Sequence, residues 1–158
     1  MKKITSVLLA VLMLFSMFAV SVSAAGYDRI TVSVNKTEAN VGDVIKVTVG
    51  VKENSNLVSF EGVATYNTEY FQLVDGSVTV GGMFGYDYPN SNVAGEVRLV
   101  CASGGIVTAA GTLISFELKV LKTGGTINFT VDEAYIDHDN DPNNDLTDDE
   151  ILNYVKNY

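Results

Sequence analysis

Five aspartates near the C-terminus carry the clearest metal chemistry in the chain. Asp137, Asp139, Asp141, Asp145 and Asp148 fall at positions 1, 3, 5, 9 and 12 of a loop, the oxygen-ligand spacing of a calcium site. Two departures weaken that reading. Pro142 stands where such a loop needs the freedom of glycine, and Asp148 is shorter than the bidentate glutamate that usually closes the cage. A solvated acidic linker is therefore favoured; no cofactor is expected, with weak calcium binding at this loop the single candidate. Other chemistry is sparse. His138, the one histidine, lies inside the same acidic run and not beside a strand-borne serine that it could activate. Cys101, the one cysteine, can form neither a disulfide within the chain nor a thiolate zinc cluster. Gly81-Gly82 and Gly104-Gly105 are followed by no Lys-Ser pair and no helix start, so they read as turns and not as phosphate loops. Carboxylate pairs are too common in so acidic a chain to mark a glycosidase. The sequence does not describe an enzyme.

The elements that would position these residues begin after a targeting segment. Lys2 and Lys3 form a basic start, Val7–Phe15 is unbroken apolar sequence, and Val22-Ser23-Ala24 or Ser23-Ala24-Ala25 offers small residues to a signal peptidase. Residues 1–25 are read as a signal peptide and the mature protein as secreted, extracellular and free of the membrane after cleavage. Of the 158 residues, those beyond this segment carry 8 basic and 19 acidic side chains, a net charge of −11. That balance argues against nucleic acid or an anionic membrane as partner, since both are polyanions.

From Ile30 to Ile136 the dominant hydrophobic period is two, which is the period of strands. Apolar runs at Ile30–Val34, Val44–Val51, Val58–Tyr66, Phe71–Val80, Glu96–Ala102, Thr112–Val120 and Thr126–Ile136 are accompanied by turn signals, such as Gly124-Gly125 between two runs and Asp75-Gly76 within one. The expected fold is all-β, a two-sheet sandwich over residues 26–136. A short amphipathic helix should follow the acidic loop within residues 137–158, where Thr147 and Glu150 form a capping box and Ile151, Leu152, Tyr154, Val155 and Tyr158 form an apolar stripe. Alternation sorts the strands into faces. Phe60, Ala64 and Tyr66 oppose Ser59, Glu61, Val63 and Thr65; Val97, Leu99 and Cys101 oppose Arg98, Val100 and Ala102. Cys101 then reads as a small core residue with nothing nearby to lower its pKa.

Four segments in order resemble a cohesin module, the receptor half of the cohesin–dockerin pair. Val41-Gly42-Asp43-Val44-Ile45-Lys46-Val47-Thr48-Val49 is similar to the family's opening strand. Phe60–Asn67 followed by Phe71-Gln72-Leu73-Val74 is similar to its Tyr-Asp…Leu-x-Val signature, with Asn67 in place of Asp. Gly95–Ser103 and Gly111–Val120 resemble two later strands. The resemblance implies a jelly-roll-like sandwich that binds dockerin-bearing enzymes or scaffoldins in a polysaccharide-degrading, cellulosome-type complex. It also implies a flat sheet face as the partner site, here Ser59, Glu61, Val63, Thr65, Tyr86, Tyr88, Arg98, Val100 and Ala102. A monomer is expected. Residues 137–158 depart from the family's closing strand and are similar to half a dockerin. The alternative is a carbohydrate-binding sandwich that takes polysaccharide directly, stacking it on Tyr66, Tyr70, Phe84, Tyr86 and Tyr88.

Overall fold

The computed structural model describes residues 18–19, 21–24, 29–53 and 55–136. The acidic loop and the helix expected after it lie outside the described residues, as does most of the targeting segment. The strands run in the order β1 (Phe18–Ala19), β2 (Ser21–Ala24), β3 (Ile30–Val34), β4 (Glu38–Ala39), β5 (Val44–Val51) and β6 (Leu57–Tyr66). They continue as β7 (Phe71–Leu73), β8 (Thr79–Val80), β9 (Tyr86–Asn90), β10 (Glu96–Val107), β11 (Gly111–Val120) and β12 (Thr126–Ile136). No helix interrupts them among the described residues.

Two sheets form the sandwich. One has the order β2-β12-β6-β10-β9, antiparallel except where β2 joins β12 in parallel. The other has the order β3-β5-β11-β7, with β8 also pairing β11. A two-residue ladder joins β1 to β4. Short strands at Phe18–Ala19 and Ser21–Ala24 thus occupy the end of the segment read as a signal peptide.

Alternation explains the core. Phe60, Ala64, Val97, Leu99, Cys101, Ile127 and Phe129 point inward from one sheet, and Ile45, Val47, Val49, Phe116 and Leu118 meet them from the other, all buried. Each large side chain buried there contributes about 1.5–3 kcal/mol by leaving water. Phe60 and Phe129 stack with centroids 6.1 Å apart and planes 6° from parallel. Gly62 sits between them in sequence parity because nothing larger fits. A Cβ at that position would stand 2.7 Å from the Phe60 ring tip and 2.8 Å from that of Phe129.

Two local expectations are revised, and one edge strand is added. The run Phe71–Val80 is two strands, since Val74–Ser77 turns (Ser77 N–H to Val74 O, 3.1 Å). The Ser77 hydroxyl then accepts from Glu117 N–H at 3.0 Å, anchoring the connection to β11. Gly104-Gly105 lies within β10, which is irregular between Ala102 and Val107 and does not turn there. Tyr86–Asn90 is an edge strand despite Pro89, which an edge tolerates because one side needs no ladder bond.

Candidate protein-binding face

Register brings the expected interface residues together on the outer surface of β12-β6-β10-β9. Tyr86, Ala102 and Ser59 lie in one row across the strands, and Tyr88, Val100 and Glu61 in the next. Arg98 faces Val63, which faces Thr130; Glu96 faces Thr65, which faces Asn128. All nine named residues are therefore on one continuous surface.

Their exposure differs in a way that assigns roles. Tyr86 and Tyr88 are 61% and 66% exposed, Val100 is 39% exposed, and Ala102 is exposed beside them. Ser59, Glu61, Thr65 and Arg98 are half-buried. Val63 is only 7% exposed, so the expectation that it offers contact surface is revised. Its parity is outward, but Arg98 starts directly opposite it and must cross β6 to reach β12. Arg98 is thus the long side chain nearest to this buried valine in register.

The crossing has a cause. Arg98 Nη1 donates to Glu61 Oε1 at 2.7 Å and to Asp132 Oδ2 at 2.6 Å, tying three strands together. These bonds, Glu61 first, push the guanidinium still higher, so it stays a cation throughout the accessible pH range. Asp132 was not among the expected residues. Alternation from Asn128 and Thr130 points it outward, but its partner lies two strands away, and β12 bulges between Val131 and Glu133. The result is a brace with one cation between two carboxylates, beside a strip of exposed Tyr86, Tyr88 and Val100. Aromatic anchors next to small residues and a charge-fixed floor suit a protein partner.

Other candidates separate. Phe84 is 3% exposed, Tyr66 and Tyr70 pack partly on the core, and the Lys122 ammonium lies 5.0 Å from the Tyr70 ring centre. The five aromatics of the stacking alternative thus form no common platform. Cys101 is buried, its Sγ 3.6 Å from Phe60 O, and burial first, then the Asp87 charge, pushes its thiol up to about 12. It is inert. Among the described residues no three metal-ligating side chains cluster. The candidate calcium aspartates lie outside the described residues.

Fold and face define a β-sandwich recognition module. The cohesin-domain family profile matches residues 30–152, and the chain belongs to the cohesin family, a family of non-catalytic binding modules. Solved structures agree in fold at low identity. The type I complex Coh-OlpA-Doc918 of Clostridium thermocellum is 16% identical, with a TM-score of 0.54 over 69% of this chain and 87% of that one. The cohesin of the type II complex Coh3ScaB-XDoc_M1ScaA of Acetivibrio cellulolyticus is 19% identical, with a TM-score of 0.51 over 62% and 74%. The second type II cohesin of the adaptor scaffoldin ScaA of the same organism is 21% identical, with a TM-score of 0.50 over 72% and 73%. No curated protein matches the chain.

Proposed function

We propose that this chain is a secreted cohesin that holds a dockerin-bearing enzyme or scaffoldin in a cellulosome-type, polysaccharide-degrading complex. The observation that carries the reading is the outer face of β12-β6-β10-β9, where Tyr86, Tyr88 and Val100 stand exposed beside the Arg98 brace. Large exposed aromatics on a flat, rigid sheet are costly to leave in water, and burying them against a helix recovers that free energy. Cohesins of the same fold are solved in complex with dockerins, which supports the partner class. Residues 1–25 serve as the export signal in this reading, and the module works as an extracellular monomer without a cofactor. Direct polysaccharide binding through the five-aromatic platform is not supported, because burial scatters that platform.

Titration of the protein with a panel of purified dockerins tests the proposal. Binding at about micromolar or tighter to at least one dockerin is expected. Failure across type I and type II dockerins alike overturns it.

A further inference from the structure

A second concave feature lies away from that face, at the mouth between the two sheets. It is a cleft of about 620 Å³ bordered by the end of β6, the β6–β7 turn, β7, the β9–β10 connection and Leu121. That volume falls in the range of small-ligand sites. Its walls are fixed by backbone bonds. Tyr66 N–H donates to Gly95 O at 2.9 Å, Phe71 N–H to Asn67 O at 3.0 Å, and Leu121 N–H to Tyr70 O at 2.8 Å. Gly95 is required for this closure. Its φ is +84°, and a Cβ there would come within 2.9 Å of Tyr66 O.

The lining decides the ligand class. Tyr66, Leu73 and Leu121 supply apolar surface, while Gln72, Asp75 and Asn92 supply two amides and a carboxylate. No lysine, arginine or histidine lines the cleft, so an anion would meet Asp75 with no cation among the lining residues. A purely apolar ligand would strip water from Thr68, Gln72, Asp75, Ser91 and Asn92 without replacing their hydrogen bonds. What fits both constraints is an uncharged molecule with apolar C–H faces and many hydroxyls. Inward parity at the end of β6 is what puts Tyr66 here, half-buried at the sheet mouth instead of on the outer platform.

We propose that this cleft binds a short uncharged oligosaccharide, independently of the protein-binding face. Asp75 and Gln72 accept and donate to sugar hydroxyls, and Tyr66 with Leu73 lines the C–H side. A cleft open at the surface takes a chain end or a few units, with modest affinity.

Backbone amide shifts of the intact protein, followed during titration with cellohexaose, xylohexaose and, as the anionic control, citrate, test this. One of the two oligosaccharides should shift Tyr66, Gln72, Asp75 and Asn92 at about millimolar concentration, with citrate silent. Gln72 and Asp75 are both exposed, so Gln72→Ala/Asp75→Ala should fold normally and raise the dissociation constant about tenfold or more. Dockerin binding by that variant should be unchanged, which keeps the two sites' outcomes separate. No shift at about 10 mM of either oligosaccharide, equal shifts with citrate, or undiminished binding by the double variant would each overturn the proposal.

Discussion

Arg98 on β10 and Asp132 on β12 meet across an intervening strand, with Nη1 2.6 Å from Oδ2, while Glu61 on that intervening strand shares the same nitrogen at 2.7 Å. The brace holds two carboxylates in fixed positions at the centre of the face and leaves the other oxygen of each carboxylate outside these two bonds. Glu61→Arg should therefore act twice, by breaking the brace and by placing two guanidinium groups together. Capture of a dockerin should weaken by about tenfold or more, with a smaller loss at high salt. Ser33→Arg, exposed on β3 of the other sheet, should leave capture unchanged. Equal binding by both variants, measured by calorimetry, removes the face assignment.

Tyr88 makes the complementary test, because its removal should cost binding and not folding. At 66% exposure it contributes little to the folded module alone. Tyr88→Ala is expected to cost about 2 kcal/mol of dockerin binding, the scale of an interface anchor, with an unchanged thermal midpoint. A lowered midpoint without loss of binding contradicts the role given to this strand.

Gly62→Ala should destabilise the module by about 1–3 kcal/mol, since a methyl group would enter the space held by the stacked Phe60 and Phe129 rings. Urea unfolding reads this directly. A neutral result would mean that the ring pair can slide apart, and that the core is looser at β6 than its packing indicates.

The Cys101 thiol supplies a pH signature. Folding raises it from an ordinary 9.0 to about 12, so the unfolded chain loses this proton first. Its contribution is fully present below about pH 9 and is lost as pH rises towards 12, by at most about 1.4 kcal/mol per pH unit. Cys101→Ala should flatten that alkaline slope. In the native protein at pH 8 the thiol should not react with a disulfide reagent until denaturant is added.

For the acidic tail, weak or absent calcium binding is the expected result. Five aspartates repel one another in the empty state, so binding must also supply the ordering free energy, and Pro142 restricts the turn. Calorimetry should find affinity no better than about millimolar. A micromolar site abolished by Asp137→Ala/Asp141→Ala would instead establish residues 137–158 as a working half-dockerin.

Alternation in β6 and β10 was enough to read both sheet faces, because a period of two carries parity wherever one side is buried. The inward parity of Cys101 and the outward parity of Ser59, Glu61, Arg98 and Ala102 followed from it. Parity does not reveal what lies above a residue, however. Val63 is outward in parity yet buried, and Arg98 directly opposite it reaches for Asp132, a partner 34 residues later in the chain. Glycine misled at Gly104-Gly105, which continues a strand, and Pro89 sits in a strand as well. Both belong to edges or irregular ladders, where the usual penalties for these residues relax.

Pro89 has a consequence wherever copies of the protein crowd together. Strand β9 displays two bare tyrosines and has β10 as its only ladder partner among the described residues, a combination that invites copies to stack edge to edge into fibres. A proline has no amide hydrogen to offer an incoming strand, so the edge cannot complete a regular ladder with a neighbour. The module can keep its sticky aromatic strip in the open, ready for a partner, without that strip seeding its own polymerisation.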